Sequence, residues 1–156
     1  MGQRLTLHPL DLVTNKLLAV VGRREPRDWV DILHCHRTVQ PLGYLAWAAS
    51  GKDPGLSPLS IVEEAARTRY TAAELAGLDF EGPPPDAAAL SVQWRAAIAE
   101  ARAIVALLPL EHVGQAVLDG AQLARTGAAE LPGMLARLGF HEGRLRGAFF
   151  EVSAPR

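Results

Sequence analysis

Several features that mark specialised classes of protein are scarce or missing in this sequence. The 156 residues include one cysteine, Cys35, which excludes an internal disulfide framework and predicts a reducing, cytoplasmic environment. No apolar run is long enough to span a bilayer, and the N-terminus lacks the pattern of a signal peptide. The net charge of -1 gives no overall field that would draw the chain to a membrane or to nucleic acid.

The composition that is present is typical of a soluble globular protein, with 49% hydrophobic and 21% charged residues. A chain of this length can bury one core but is short for two, so we expect a single domain over 1–156. Three consecutive prolines predict a rigid connector at 81–86. It would separate a helical part, 1–80, from a long amphipathic helix and a mixed segment in 87–156.

The spacing of apolar residues predicts a mainly α fold of about six helices with a minor β component. The first helix is expected from Pro9 to about Val21, and Pro26 is expected to open the second. The clearest stripe, around Trp94, Ile98 and Ala101, predicts a long helix that ends before Pro109. The other helices are expected at 42–50, at 57–69 and after a capping box at 71–74.

The β component is expected mainly near the C-terminus. Residues 113–124 fit either a helix or a hairpin, and the Asp119-Gly120 pair with apolar flanks favours the hairpin. Residues 4–8 and 147–152 are expected to be extended. Residues 131–138 are expected to be helical.

A group of basic and acidic side chains in the first two predicted helices is suited to phosphate chemistry. Lys16 and Arg23 are seven residues apart and would point the same way if the helix extends that far. Arg27 and Asp31 have the spacing of an i,i+4 pair, and Asp28 lies between them. Arginine and lysine together can hold a triphosphate, and a nearby carboxylate can position a hydroxyl group or accept its proton.

A purely structural role explains the same residues and, on residue types alone, is favoured. Asp28 lies in the first turn after Pro26, where the helix dipole favours a carboxylate. An exposed pair such as Arg27 and Asp31 is common on helices and is worth about 0.3–0.5 kcal/mol. Networks of ion pairs therefore produce such clusters without any catalytic function.

The order of these residues resembles the C-terminal motif of AbiEii/AbiGii-type nucleotidyltransferases, the toxin halves of some bacterial toxin–antitoxin and phage-defence pairs. The matching positions are Leu10-Asp11-Leu12, Asn15-Lys16 and Arg23-x-x-x-Arg27-Asp28-x-x-Asp31. The resemblance implies that Lys16, Arg23 and Arg27 contact a nucleotide or its phosphates. It also implies Lys16, Asp28 and Asp31 as candidates for a catalytic role. An intact member of the family would use Mg²⁺ and a nucleoside triphosphate.

The sequence departs from this family where the family's metal-binding core should be. The core begins with a Gly-Ser turn followed by acids, yet the chain contains no Gly-Ser dipeptide and no Asp-x-Asp pair. Its one Asp-x-Glu, at 79–81, runs into the prolines. Ten residues precede Asp11, too few for the strand–helix–strand unit that carries the acids. We therefore expect no metal site and no cofactor in this chain.

Two hypotheses about function follow. In the first, the chain is the helical C-terminal portion of a nucleotidyltransferase-like protein, inactive alone, which contributes nucleotide or tRNA contacts to a cleft. In the second, it is a stand-alone helical protein–protein interaction module without catalysis. Its partner would be another protein or a second copy of the chain, bound through 4–8 or the Trp94 helix. Neither hypothesis involves a membrane.

Other notable motifs have simpler explanations. The side chains of His34, Cys35 and His36 diverge by about 100° per residue on a helix. Histidines on the surface of the helix and a cysteine in the core are therefore favoured over a metal site. The segment 51–55 contains Gly and Lys but lacks phosphate-loop spacing, which favours a turn. The three tryptophans are expected to pack in the core.

Overall fold

The computed structural model describes residues 4–6, 8–23, 25–68, 70–78, 86–142 and 151–153. These residues form six α-helices and five short strands, which confirms a mainly α fold with a minor β component. The helices are α1 (His8–Gly22), α2 (Pro26–Thr38), α3 (Leu42–Ala49), α4 (Pro58–Ala66), α5 (Ala72–Ala76) and α6 (Ala87–Leu107). The strands are β1 (Arg4–Thr6), β2 (Ala116–Asp119), β3 (Gln122–Leu123), β4 (Leu138–His141) and β5 (Glu151–Ser153).

Local capping signals set the starts of several helices where the sequence predicts them. The Ser57 side chain accepts a hydrogen bond from the Ser60 amide before α4, and Thr71 forms a reciprocal capping box with Glu74 before α5. Asp86 caps α6 by accepting from the Ala88 amide. The end of α4 is less well predicted, since this helix stops at Ala66 rather than near residue 69.

The short helix α3 occupies the centre of the core. All eight of its residues are buried, and it packs against α1, α2, α4, α6 and β2. The segment carries no charged side chain, so every face can be buried without an unpaired charge. At Gly43 the backbone of α3 approaches α6 so closely that an added Cβ would lie 2.7 Å from Cβ of Ile104.

The apolar stripe predicted on α6 forms part of this core. Trp94, Ala97, Ile98, Ala101 and Ile104 are all buried. The three tryptophans are likewise buried, with 1%, 1% and 3% of the surface exposed for Trp29, Trp47 and Trp94. Their predicted role in packing is therefore confirmed.

The predicted hairpin is present and belongs to a three-stranded antiparallel sheet with the order β3-β2-β4. Asp119 is paired with Gln122, so the turn residues are Gly120 and Ala121, one position later than predicted. Gly120 has a φ of 64°, a value that glycine adopts at little cost.

The prediction of a helix over 131–138 is wrong. The chain forms 3-10 turns at Leu131–Gly133 and Leu135–Arg137 and then enters β4. Proline lacks an amide hydrogen and glycine is a poor helix former, so Pro132 and Gly133 oppose a regular helix. Pairing of 138–141 along β2 supplies the backbone hydrogen bonds instead.

The terminal strands pair with each other, β1 running antiparallel to β5. The predicted strand over 4–8 is shorter than expected because His8 already belongs to α1. Of the extended segment predicted at 147–152, residues 147–150 lie outside the described residues. The predicted connector lies outside them too, except for Asp86, and the division of the chain into parts remains a prediction.

Two polar side chains join the sheet to the helices. The buried Gln40 donates from Nε2 to the carbonyl oxygens of Val117, at 3.0 Å, and Ala124, at 2.9 Å. The Arg125 guanidinium donates to the carbonyls of Arg37, Thr38 and Val39, where α2 ends. A cation at this end also complements the helix dipole.

None of the described helices is both long and apolar enough to cross a membrane.

Candidate functional site

The predicted site residues meet where α1 joins α2. Nζ of Lys16 on α1 lies 2.8 Å from Oδ2 of Asp31 on α2. Nη2 of Arg23, just after α1, lies 3.1 Å from Oδ2 of Asp28 in the first turn of α2. The structure thus places four of the five residues in two ion pairs between neighbouring helices.

Arg27 is the fifth residue, and its predicted pairing with Asp31 is wrong. Because α2 packs against α1, Asp31 is directed to Lys16 instead. Arg27 is exposed and forms no ion pair or hydrogen bond with any described residue. Its guanidinium is therefore available in solvent next to the two ion pairs.

The two ion pairs present their basic members to solvent more than their acidic members. The Arg23 side chain is 67% exposed, whereas that of Asp28 is only 12% exposed. Lys16 and Asp31 are more evenly exposed, at 42% and 37%. Arg23 lies one residue beyond the end of α1, and its amide still donates to the carbonyl oxygen of Ala19, as in a helix. We call Lys16, Arg23 and Arg27 the α1–α2 basic surface.

A third ion pair on α1 was missed by the sequence analysis. Nζ of Lys52 lies 2.5 Å from Oδ1 of Asp11 and 2.9 Å from Oδ1 of Asn15. The Lys52 side chain is only 5% exposed. Lys52 lies in the segment 51–55, for which the sequence predicted a turn. The i,i+4 spacing of two polar residues, Asp11 and Asn15, on an apolar helix was the signal available for it.

The side chains of the His34-Cys35-His36 segment lie in different surroundings on α2. His34 is exposed, and Nδ1 of His36 accepts a hydrogen bond of 2.8 Å from the Leu42 amide at the start of α3. Burial lowers the pKa of His36, as do Arg37 and Arg125, while Glu100 opposes them. Burial and the charge of Asp31 raise the pKa of the Cys35 thiol, although the charge of Lys16 acts in the opposite direction. The raised pKa disfavours a reactive thiolate.

The described ranges contain no group of three His, Cys, Asp or Glu side chains placed to hold a metal ion. Asp28 and Asp31 each face a basic side chain instead. The carboxylates of this site therefore position cations of the protein.

A cavity lined in part by α2 was also missed by the sequence analysis. It has a volume of about 280 Å³ and lies between α2, α6 and the residues after α4. Its lining comprises Trp29, Thr68, Tyr70, Ser91, Trp94 and Arg95. The sequence predicted that the tryptophans pack in the core. Their spacing alone does not distinguish a residue that lines a cavity from one that is fully packed.

Comparison of the chain with protein-family models, with curated proteins and with solved structures gives no match. The resemblance of the α1–α2 motif to AbiEii/AbiGii-type nucleotidyltransferases therefore stays a prediction.

Proposed function

We propose that this chain is the helical portion of a nucleotidyltransferase-like protein of the toxin–antitoxin or phage-defence type. It would be inactive alone and would contact the phosphates of a nucleotide or of tRNA. The observation that carries this proposal is the α1–α2 basic surface, in which Lys16 and Arg23 each pair with an acid of α2 and Arg27 is exposed on α2.

The arrangement suits reversible binding of phosphate. Arg27 has no partner among the described residues, so binding a phosphate would not require it to leave an ion pair. Lys16 and Arg23 are held by carboxylates through solvent-exposed pairs, which are typically worth only about 0–1 kcal/mol. A polyphosphate offers more charge than one carboxylate and can form bidentate bonds with arginine.

In this proposal the acidic residues have a positioning role. Asp28 holds Arg23, and Asp31 holds Lys16, so neither acid is a free metal ligand. Two-metal phosphoryl transfer needs carboxylates that clamp the ions. Mg²⁺ and the reacting nucleotide would then be bound by a separate catalytic core, and the α1–α2 basic surface would form one wall of the cleft.

Calorimetric titration with inorganic tripolyphosphate and with each of the four nucleoside triphosphates, in the presence of Mg²⁺, tests the proposal. We expect weak binding that depends little on the base, since only phosphate contacts are assigned. Arg27→Gln should weaken it by at least about tenfold, the effect of one charge-assisted hydrogen bond, without changing the melting temperature.

Arg23 has a closely matched control. Arg67 on the C-terminal side of α4 is 68% exposed and forms one ion pair with Glu64, much as Arg23 is 67% exposed and pairs with Asp28. Arg23→Gln should weaken tripolyphosphate binding, whereas Arg67→Gln should leave it unchanged. Absence of binding to all five probes, or equal losses in both variants, would contradict a role in triphosphate binding.

The tRNA arm is tested by fluorescence anisotropy at several salt concentrations. Each phosphate contact that is removed should reduce the slope of log K against log salt by about one. We therefore expect a shallower slope for Arg27→Gln than for the unaltered protein and Arg67→Gln. If no tRNA binding is detected, or if the slopes agree, the chain does not contact tRNA through this surface.

The second hypothesis, an interaction module, receives less support from the geometry. The apolar stripe of α6 is buried within its own chain, so it offers no surface for a second copy. Strand β1 is already paired along one edge with β5.

A further inference from the structure

The cavity lined by Trp29 and Trp94 combines aromatic rings with buried polar groups that make no hydrogen bond with the residues the structure describes. The Trp29 ring lies 5.3 Å from that of Tyr70 and 6.0 Å from that of Trp94, in tilted and edge-on arrangements. These three aromatic rings all belong to the lining of the cavity. Such walls suit a planar ring, which can stack on one aromatic side chain and meet the edge of another.

Two buried polar groups on the lining distinguish this cavity from an ordinary packing defect. Nε1 of Trp29 and Oγ1 of Thr68 are buried and make no hydrogen bond with any described residue. The two residues are 1% and 3% exposed. Buried donors without an acceptor are rare in folded proteins and call for an explanation such as a ligand or an ordered water. By contrast, Nε1 of Trp94 on the same wall donates to the carbonyl oxygen of Ala65 at 3.2 Å.

One residue of the lining is a solvent-exposed cation. Arg95 is the exposed member of the lining, and it forms no ion pair or hydrogen bond with the described residues. An anionic group could therefore reach it while the rest of a ligand lies against the indole rings.

We propose that this cavity is a binding site for a small planar heteroaromatic carboxylate. The indole N–H of Trp29 would donate to a ring acceptor, Thr68 would add a second hydrogen bond, and Arg95 would bind the carboxylate. At about 30 Å³ for each water-sized group, a volume of about 280 Å³ holds a ligand of roughly nine heavy atoms. That is the size of one substituted aromatic ring.

This site is independent of the proposed phosphate-binding role. Its lining includes none of the residues of the α1–α2 basic surface. A negative result here would leave the triphosphate and tRNA experiments unaffected, and the reverse also holds.

Three probes of nearly equal shape separate the contributions. Nicotinate carries both a ring acceptor and a carboxylate, benzoate lacks the ring nitrogen, and nicotinamide lacks the charge. We expect nicotinate to bind with a Kd of about 0.1–1 mM, the range that efficient ligands of this size reach. Benzoate and nicotinamide should each bind about five- to tenfold more weakly, because each loses one polar contact.

The indole N–H signals in a ¹H–¹⁵N spectrum of the unaltered protein give a direct readout. The Trp29 signal should move on addition of nicotinate, and less with benzoate. Trp47 serves as an internal control, since its Nε1 already donates to the carbonyl oxygen of His112 at 2.8 Å, in a different part of the core. Tryptophan-to-phenylalanine variants assign the three signals.

Two variants test the residues without removing the cavity. Thr68→Val keeps the shape of the side chain and removes a hydroxyl that makes no hydrogen bond with the described part of the chain. The protein should therefore remain folded and bind nicotinate about five- to tenfold more weakly. Arg95→Gln should weaken nicotinate but not nicotinamide. Arg102→Gln is the matched control on α6, because Arg102 pairs with Glu63 and does not line the cavity.

The proposal is overturned if nicotinate fails to shift the Trp29 signal at about ten times the highest expected Kd, which would leave a cavity filled by water only. It is also overturned if the three probes bind equally, or if Arg95→Gln and Arg102→Gln have the same effect.

Discussion

Two lysines that pair with acids on α1 and α2 lie in very different surroundings. Lys52 is nearly buried and bonds to Asp11 and Asn15, whereas Lys16 shares a half-exposed pair with Asp31. Removing one partner of a buried pair leaves an uncompensated charge, while removing one partner of an exposed pair leaves a solvated charge. The two lysines should therefore differ in their contribution to stability.

We expect Lys52→Met to lower the free energy of unfolding by about 2–4 kcal/mol. The matched change Lys16→Met should cost less than about 1 kcal/mol. Urea denaturation followed by tryptophan fluorescence measures both. Similar losses in the two variants would show that burial of the Lys52 pair does not control its energetic role.

The buried histidine at the end of α2 predicts a dependence of stability on pH. Burial lowers the pKa of His36, with Glu100 acting against it and Arg37 and Arg125 adding to it. The folded state then binds fewer protons than the unfolded state in the range below about pH 6.5. The stability contributed by neutral His36 is thus present above that pH and is lost as the pH falls toward the lowered pKa.

We expect the unfolding free energy to decrease between about pH 7.5 and pH 5.5, a range in which ordinary carboxylates remain ionised. Protonation also removes the acceptor that His36 offers to the Leu42 amide. His36→Gln should flatten this profile because glutamine does not titrate. His34→Gln, at an exposed position on the same helix, should leave the profile unchanged. If His34→Gln flattened the profile as much as His36→Gln, the pH dependence would not arise from His36.

At the scale of residues, the sequence analysis grouped side chains that are close along the chain, but the pair that it predicted within the group, Arg27 with Asp31, is not the one that forms. Arg23 and Asp28 are separated by 5 positions, and Lys16 and Asp31 by 15 positions across one turn between helices. The Lys52 and Asp11 pair spans 41 positions and depends on how α3 and the following turn fold back. The cavity depends on three separate elements, so no local pattern could reveal it.

At the scale of elements, the close approach of α3 to α6 depends on the absence of a side chain at Gly43. An added Cβ at Gly43 would lie within 3.0 Å of two Ile104 atoms, at 2.7 and 2.9 Å. Gly22, also in a helix, has no such neighbour within 4 Å. The same substitution should therefore have opposite effects at the two positions.

We expect Gly43→Ala to destabilise the protein by about 1–3 kcal/mol, because α3 and α6 must move apart. Gly22→Ala should be neutral or stabilising by up to about 1 kcal/mol, since alanine reduces the freedom of the unfolded chain. Thermal unfolding followed by circular dichroism compares them. A harmless Gly43→Ala would mean that this helix contact is not tightly packed.

Element boundaries were predictable where a local chemical signal sets them. The caps at Ser57, Thr71 and Asp86 act within three residues, so the starts of α4, α5 and α6 can be read from the sequence. The segment 131–138 could not be read in this way. Its apolar residues fit a helix, but a strand partner more than ten residues away decides the structure.

At the scale of the whole molecule, Gln40 connects the helices to the sheet through a pair of buried hydrogen bonds. Gln40→Leu preserves the approximate volume but leaves the Ala124 carbonyl without this donor. We expect a loss of about 2–3 kcal/mol in unfolding free energy. The control is Gln93→Leu, where an exposed glutamine accepts from Arg37 and the change should be within about 0.5 kcal/mol.

If helices and sheet form one cooperative unit, Gln40→Leu should shift the transition without splitting it. Tryptophan fluorescence and far-ultraviolet circular dichroism should then give coincident curves. Separate transitions would show that the sheet unfolds independently of the helices. Neither the sheet's attachment nor its third strand was predicted, because both rest on contacts between distant parts of the chain.

The complete enclosure of α3 has a consequence for how the native protein opens. Its amide hydrogens can meet solvent only when α1, α4 and α6 separate from it, so their exchange with deuterium should require the whole molecule to unfold. The peripheral α5, in which only Leu75 is buried, can exchange through small local openings. The shortest helices of this protein would thus mark the two extremes of its protection against exchange.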